Sequence, residues 1–131
     1  MSICQKPVVD LYQGAHTLLI TINQIIPQIR KSVKMIQGQR LYMLGESLCK
    51  HAYQFEVSVS YNHKRDELKK CVQCIINIRN NLSALYQASL LDTGDYRKAA
   101  QSLEPLTRSV DLKSKEFNLS IMLYHGNDHL L

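Results

Sequence analysis

A stripe of apolar residues, repeating at steps of three and four, opens this 131-residue chain. It starts at Val8 and Leu11 and continues to Ile36. This spacing puts apolar side chains on one face of an α-helix, whereas a half-buried strand alternates every second residue. Pro27 lies inside the stripe and removes one helical hydrogen bond, but the pattern keeps its phase across it. We therefore predict one helix over about residues 8–35, kinked at Pro27.

Three further stripes follow, at residues 41–59, 68–89 and 96–117. The first turn is expected at residues 37–39. Asn62, or a residue very near it, is a suitable N-cap for the third helix, because its side-chain oxygen can accept from an orphan amide. Gly94 can close that helix in a left-handed conformation, and Asp95 can cap the fourth helix. Pro105 should kink the fourth helix.

The four predicted helices are joined by short connections, which make antiparallel neighbours the default. The chain has only 5 Gly and 3 Pro, and 45% of its residues are hydrophobic, which suits a helical domain with its own core. We predict an all-α fold over residues 1–117, an antiparallel up-down-up-down four-helix bundle with a kinked first helix. Residues 118–131 have weak periodicity and are expected to form a flexible C-terminal tail.

Apolar residues also lie outside the main stripes of the second and third helices. Some of them could widen the core, and others could form a subunit interface, because monomers rarely expose large apolar patches. If these residues form a subunit interface, the protein associates with copies of itself. The residues concerned are Tyr42, Met43, Cys49, Val57, Val72, Ile76 and Tyr86.

Patterns typical of catalysis or metal binding are weak. Cys71 and Cys74 have the spacing of half a zinc site, but zinc needs four ligands and no second pair follows at a matching distance. Buried core cysteines are the better interpretation. The chain has no phosphate-binding loop, nucleophile elbow or paired-carboxylate motif, and acids such as Glu67 are interpreted as solvated surface or capping charges. We predict no enzymatic activity, no cofactor and no metal site, with the 5 histidines solvated or capping.

No segment has the pattern of a targeting or membrane-spanning sequence. Residues 1–10 lack a charged stretch followed by an apolar one. The longest apolar run, within residues 18–26, is broken by polar side chains and falls far short of the roughly 20 residues that cross a bilayer. We therefore expect a cytoplasmic protein with no membrane association.

The positive charge is unevenly distributed. Sixteen Lys and Arg against eleven Asp and Glu give a net charge of +5, and residues 29–45 contain no acid. Clustered cations attract nucleic acid because they displace counterions from phosphate, although a solvated charged face is the simpler interpretation. Arg79 and Arg108 could instead pair with acids between helices. The candidate residues for contact with phosphate or an acidic partner are Arg30, Lys34, Arg40, Lys64, Arg65, Lys69, Arg79 and Arg108.

Several short motifs resemble one known family. They are Asp10-Leu11-Tyr12-Gln13, Ile26-Pro27-Gln28-Ile29, Arg40-Leu41-Tyr42-Met43-Leu44-Gly45, Tyr61-Asn62-His63-Lys64-Arg65-Asp66-Glu67-Leu68 with Arg79, and Asp95-Tyr96 with Arg108. The order and spacing resemble the accessory variability determinant (Avd) family of diversity-generating retroelements. Related four-helix-bundle proteins are encoded by intervening sequences of ribosomal RNA genes. The resemblance covers roughly residues 8–116.

The resemblance implies a ring of bundles, typically a homopentamer with a basic surface. It further implies a non-enzymatic accessory role in mutagenic retrohoming, in which the protein binds the element's reverse transcriptase and template RNA, while catalysis belongs to the transcriptase. The intervening-sequence branch implies the alternative, a structural oligomeric module that binds other proteins. The sequence leaves both branches open, together with the choice between RNA and DNA.

Overall fold

Four α-helices make up most of the computed structural model, which describes residues 10–31 and 34–119, without the side chain of Lys34. A 3₁₀ turn, Ile26–Gln28, follows the first helix, and a π-helical turn, Lys34–Gly38, leads into the second. The described ranges contain no strand, which confirms the all-α prediction. None of their helices is long and apolar enough to cross a membrane. The helices are α1 (Leu11–Ile25), α2 (Gln39–Val57), α3 (Tyr61–Gln87) and α4 (Thr93–Glu116).

Each helix packs against two others around one apolar core. α1 contacts α2 and α4, and α3 contacts the same two helices. The predicted stripes supply the core, because burying one apolar face per helix removes much apolar surface from water. Val59, at the end of the second stripe, is instead 94% exposed because it lies beyond the end of α2. The largest fully buried side chains include Leu18, Ile22, Leu48, Ile75 and Ile78.

The first helix ends at Ile25 instead of continuing through Pro27. Proline cannot donate a backbone hydrogen bond, and here it lies at the start of the 3₁₀ turn, where no donor is needed. The backbone then becomes extended at Ile29, with φ −70° and ψ 141°. The helix predicted over residues 8–35 is therefore interrupted rather than kinked. Ile29 still reaches the core, whereas Ile36, the last residue of the stripe, is 68% exposed.

The turn predicted at residues 37–39 is helical and runs directly into α2. Gly38 has helical dihedral angles, and a Cβ atom there would lie 3.0 Å from Ile26 Cγ2. Its small size lets the π-helical turn pack on the 3₁₀ turn. Gly45 has the same role farther along α2, where a Cβ atom would lie 2.8 Å from Leu19 Cδ1. The missing side chain at Gly45 therefore allows α1 and α2 to approach closely.

The N-caps of α3 and α4 lie slightly upstream of the predicted positions. Ser60 Oγ accepts a hydrogen bond from the backbone N–H of His63 at 3.3 Å, and Asp92 Oδ1 accepts one from the N–H of Asp95 at 2.8 Å. Both capping residues have extended backbone, as an N-cap requires. Asn62 and Asp95, the predicted caps, are inside the helices. The prediction of Asn62 or a residue very near it is confirmed by Ser60, whereas the prediction of Asp95 as the cap of α4 is wrong.

The C-terminus of α3 is closed by a serine in the left-handed region, not by Gly94. Ser89 has φ 60°, and the N–H of Leu90 donates to the carbonyl oxygen of Leu85 at 2.8 Å. This six-to-one hydrogen bond is the Schellman arrangement, which satisfies carbonyl groups at a helix end. Gly94 is helical and belongs to α4. Asn118, with φ 55°, closes α4 in the same way.

The boundary predicted at residue 118 falls within the ordered C-terminal cap. The N–H of Leu119 donates to the carbonyl oxygen of Ser114 at 2.8 Å, and its side chain packs against the core. The rest of the predicted tail, residues 120–131, lies outside the described residues, as do residues 1–9 and 32–33 of the predicted first domain. The tail therefore stays a prediction.

Candidate nucleic-acid and partner-binding surfaces

Arg65, one of the predicted phosphate-binding residues, is committed to the fold. Its Nε atom donates to the carbonyl oxygen of Phe117 at 2.9 Å, and its Nη2 atom donates to that of Asn118 at 3.2 Å. The last carbonyl groups of a helix have no partner within the helix and carry the negative end of its dipole. The guanidinium of Arg65 donates hydrogen bonds to carbonyl groups at this end, and its positive charge complements the negative end of the dipole. Arg65 thus fixes the end of α4 against the start of α3.

Aromatic rings pack beside Arg65 and define an aromatic junction of Phe55, Tyr61 and Phe117. The Phe117 ring stacks on Tyr61 at 5.1 Å between centroids and meets the edge of Phe55 at 5.5 Å. Lys64 donates to the carbonyl oxygen of Phe55, and its Nζ atom lies 4.5 Å from the centre of that ring. The predicted pair Lys64 and Arg65 therefore helps to close this end of the bundle, and part of the hydrogen-bonding capacity of each cation is used within the fold.

Arg79 and Arg108, the two residues for which a structural role was considered, differ from each other. Arg79 Nη2 donates across from α3 to the hydroxyl of Thr107, a buried residue of α4, at 2.9 Å. Arg108 Nη2 lies 3.2 Å from Glu104 Oε1, one turn away on its own helix. Arg79 therefore joins α3 to α4, and there it donates to a hydroxyl group. Arg108 pairs with an acid of its own helix on the surface of α4.

The remaining predicted cations are spread over two places. Arg30 and Arg40 are exposed near the connection between α1 and α2, and Lys69 is exposed on α3. None of the three forms an ion pair with a carboxylate of the described residues. The side chain of Lys34 lies outside the described part of the chain.

Four exposed cations share the end of the bundle that is far from the aromatic junction, which we call the basic end: Arg30, Lys31, Arg40 and Arg97. The backbone N–H of Arg30 donates to the carbonyl oxygen of Leu90 at 3.2 Å, so the chain after α1 touches the loop before α4. Arg97 lies in the second turn of α4. α3 spans 27 residues between the two ends, roughly 40 Å of helix.

Acids are few at the basic end. Asp92 caps α4, and Asp95 lies in its first turn. Burial, followed by the nearby Asp92, raises the pKa of the Asp95 carboxyl, although Lys98 opposes this effect. An open cleft of about 470 Å³ lies here and is lined by polar groups that include Arg30 and Asp92. The four cations of the basic end thus outnumber the nearby carboxylates.

A buried carboxylate joins α2 to α3, contrary to the prediction that Glu67 is solvated. Its side chain is 8% exposed, its Oε1 atom lies 2.8 Å from His51 Nδ1, and its Oε2 atom lies 3.6 Å from His63 Nε2 and 3.7 Å from Lys70 Nζ. Burial alone would raise the pKa of this carboxyl, but the His51 hydrogen bond and the charges of Lys70, His51 and His63 together lower it. His51 is therefore a structural partner rather than a solvated histidine.

Sequence spacing alone hinted at part of this cluster, since His63 and Glu67 are four residues apart on one helix. Ser58, His63 and Glu67 also follow the order of a hydrolase triad, but the hydrogen bonds run differently. Ser58 Oγ donates to the carbonyl oxygen of Gln54 at 2.6 Å, so it accepts from His63 Nδ1 at 2.7 Å. A nucleophilic serine gives its proton to the histidine instead. This serine closes α2.

The described cysteines are core residues, as predicted for Cys71 and Cys74. Cys49, Cys71 and Cys74 are buried and free of disulfides. Burial raises the pKa of all three thiols, that of Cys49 to about 11, so they stay protonated at neutral pH. Within residues 10–31 and 34–119, no group of three His, Cys, Asp or Glu residues could hold a metal ion.

An open apolar groove follows one face of the continuous helical stretch formed by the π-helical turn and the start of α2. It has a volume of about 620 Å³, and we define it by the side chains of Met35, Ile36, Arg40, Met43, Leu44 and Ser47. Met35 and Met43 are 83% and 58% exposed. The sequence also pointed to apolar residues outside the main stripes of the second and third helices. Four of these are exposed, namely Tyr42, Met43, Val57 and Tyr86, whereas Cys49 and Val72 belong to the core.

The exposed surface therefore offers two features for binding, the basic end and the apolar groove, which share Arg40. Arg30 and Arg40 of the basic end were among the predicted cations, whereas Arg97 joins them only through the fold, and the groove lies within residues 35–47. No family model matches this chain, and neither a curated protein nor a solved structure matches it.

Proposed function

We propose that this chain is a non-enzymatic accessory protein of a diversity-generating retroelement. It binds nucleic acid, the template RNA, through a basic surface and binds the element's reverse transcriptase during mutagenic retrohoming. The motifs that resemble the Avd family support this proposal. In this role, the protein is a cytoplasmic homo-oligomer, a pentameric ring of up-down-up-down bundles, and the transcriptase performs the catalysis.

The basic end is the single observation that carries the nucleic-acid part. Its four cations are exposed and have no carboxylate partner among the described residues. Unpaired cations keep their full attraction for phosphate, whereas a paired cation must first lose its partner. Three of the four are arginines, whose planar guanidinium groups bind phosphate oxygens in bidentate geometry: Arg30, Arg40 and Arg97. Lys64 and Arg65, by contrast, already donate hydrogen bonds to backbone carbonyl groups at the aromatic junction.

Pairs of contacts along neighbouring helices support the up-down-up-down order. Tyr12, early in α1, meets Tyr53, late in α2. Likewise, Tyr86, late in α3, stacks on Tyr96, early in α4. Early residues of one helix meeting late residues of the next are what an antiparallel neighbour requires.

A titration with single-stranded RNA at two salt concentrations tests the proposal. We expect binding that weakens steeply with salt, with a slope near −0.7 per neutralised phosphate in a double-logarithmic plot. The double substitution Arg30→Glu and Arg40→Glu should weaken binding about tenfold or more and flatten the salt slope. Duplex DNA in the same titration reports the preference for RNA or DNA.

The matched control is Lys70→Glu with Lys115→Glu, which removes the same charge at two cations that already pair with carboxylates far from the basic end. This variant should retain most of the RNA affinity. Equal losses in both variants would mean that net charge alone drives binding, and binding that ignores salt would contradict the proposal. Co-purification with a reverse transcriptase encoded beside the gene tests the protein-partner part.

The apolar groove favours a second candidate function, a structural oligomeric module that binds proteins, as in the intervening-sequence branch. Exposed apolar surface of this kind is typical of protein interfaces rather than of nucleic-acid sites. The two functions separate experimentally. Loss of partner binding after substitutions in the groove, with RNA binding absent from the start, would favour this second function.

A further inference from the structure

We propose that the apolar groove is a docking site for an acidic amphipathic helix of a partner protein. The proposal extends the protein-binding part of the proposed function and rests on it, but does not require that the partner be a reverse transcriptase. It follows from three properties of the groove: exposed apolar walls, adaptable side chains and unpaired positive charge along one edge.

The walls of the groove are apolar residues that the fold leaves in water. Met35 and Ile36 belong to the π-helical turn, which begins after the chain has left α1, so they no longer follow the core-facing phase of the first stripe. Met43 lies on the outer face of α2 opposite buried Leu41 and Leu48. Covering these side chains would remove apolar surface from water, which favours association.

Two methionines flank the groove, one from the turn and one from α2. Methionine has three rotatable bonds and a polarizable sulfur, so it adapts to the ridges of an incoming helix. Leu44, partly buried between them, packs against the core and gives the floor a fixed position. Helix-binding grooves accept apolar anchors spaced three and four residues apart on one face of the partner helix.

The charge at the edge of the groove determines the chemistry of the partner. Arg40 lines the groove, and a shallower cleft continues past Met43 and Ser47 to Lys50. Neither Arg40 nor Lys50 pairs with a carboxylate in the part of the chain that the structure describes. Glu46, the acid beside the cleft, accepts a hydrogen bond from Tyr42 Oη at 2.7 Å but keeps its charge, so Arg40, Lys50 and Glu46 together leave this edge with one net positive charge. Asp and Glu flanking the apolar anchors of a partner would complement these cations.

A nucleic acid fits this groove poorly. The two exposed methionines and Ile36 offer apolar contact, whereas single strands need aromatic rings for base stacking and a run of cations for the backbone. The aromatic side chain near the groove, Tyr42, is tied to Glu46. The basic end and the groove are therefore assigned to different ligands, with Arg40 at the border between them.

Binding of synthetic helical peptides to the full chain tests the inference. The probe is a peptide of about 18 residues, or five turns, with leucines at steps of three and four and glutamates along both flanks. The comparison peptides carry lysines in place of the glutamates, or the same composition in scrambled order. We expect the acidic helix to bind, in fluorescence anisotropy, at least tenfold more tightly than either comparison peptide.

Substitutions locate the peptide. Met35→Ser combined with Met43→Ser should weaken binding of the acidic helix about tenfold or more, because interface apolar anchors dominate such contacts. The matched control is Leu112→Ser, which changes an exposed apolar residue of α4 and should leave the affinity unchanged. Lys50→Glu should weaken the acidic helix but not RNA, since Lys50 lies outside the basic end. That difference separates failure of this inference from failure of the proposed function.

Three results would overturn the inference. The first is equal binding of the acidic and basic helices, and the second is binding that Met35→Ser with Met43→Ser leaves unchanged. The third is absence of peptide binding together with self-association that these two substitutions abolish, which would assign the groove to a second copy of the chain. Sedimentation velocity on the wild type and the double variant measures that last possibility.

Discussion

Arg65 Nε donates to the carbonyl oxygen of Phe117 at 2.9 Å, so one guanidinium ties the start of α3 to the end of α4. The same side chain reaches the carbonyl oxygen of Asn118. A basic residue that sequence analysis assigned to phosphate is therefore part of the helix-capping arrangement. The assignment of function in this chain depends on separating cations of this kind from those that remain unpaired.

Replacing Arg65 should lower stability. Arg65→Ala leaves two terminal carbonyl groups without a charged donor, and we expect a loss of about 1–3 kcal/mol in the free energy of unfolding. Urea denaturation followed by circular dichroism measures it. Lys69→Ala, an exposed and unpaired neighbour on the same helix, is the control and should change stability by less than about 0.5 kcal/mol. Equal effects would contradict the capping role.

Ser89 offers a stabilising substitution. Its φ of 60° lies in the left-handed region, which costs a residue with a Cβ atom about 1–2 kcal/mol and costs glycine little. Ser89→Gly should therefore raise the free energy of unfolding by about 1 kcal/mol. Asn118→Gly provides the comparison, because asparagine tolerates this region better and the gain there should be smaller. Thermal melts of the two variants rank the effects, and a destabilised Ser89→Gly would refute the cap geometry.

Gly45 and Gly94 form a matched pair of glycines. A Cβ atom at Gly45 would lie 2.8 Å from Leu19 Cδ1 and 3.3 Å from Ile22 Cδ1, both at the packed contact of α1 with α2. Gly45→Ala should therefore destabilise the fold by about 1–3 kcal/mol. At Gly94 the nearest atom would be Asp92 Oδ1 at 3.6 Å, an ordinary contact. Gly94→Ala should be neutral or stabilise by up to about 1 kcal/mol, measured in the same denaturant series.

The Glu67 cluster should give the fold an acid-sensitive stability. The pKa of Glu67 is lower in the folded chain than its ordinary value of 4.5, so the folded state favours the carboxylate. This contribution is fully present above about pH 4.5 and is lost as the pH falls through the lowered folded value. We expect the free energy of unfolding to decrease over that acid range.

The substitution Glu67→Gln isolates this effect. Glutamine keeps the size of the side chain but cannot titrate, so the variant should be less stable at neutral pH and should lose less stability on acidification. Glu116→Gln, at the exposed end of α4, serves as a control that removes one carboxyl elsewhere. Parallel acid limbs for wild type and Glu67→Gln would show that the cluster does not contribute.

Periodicity predicted the helices but not where the first one ends. The stripe keeps its phase from Leu11 to Ile29, and both side chains are buried. The same stripe extends to Ile36, which is exposed because the backbone turns extended at Ile29. An apolar pattern records which side chains prefer the interior, and Pro27 can either bend or end a helix. In this chain the helix ends before Pro27, and Gly38 packs against Ile26 next to that end.

The candidate site was predictable only as a list of cations. Arg30, Arg40, Lys64 and Arg65 all look alike in sequence, since each is a basic residue near a predicted helix end. Their roles differ because Lys64 and Arg65 face carbonyl groups across the aromatic junction, whereas Arg30 and Arg40 face solvent. Likewise, the partnership of His51 with Glu67 joins two helices and has no local signature.

By itself, the sequence determined that this chain is helical, because steps of three and four bury one face of each helix and local capping groups mark the breaks. It also determined the excess of positive charge. Only the tertiary structure decided which of those charges are occupied, since pairing depends on distances between residues far apart in the chain. It likewise exposed Met35, Ile36 and Met43 together, because the helical stretch of the π-helical turn and α2 turns this face away from the core.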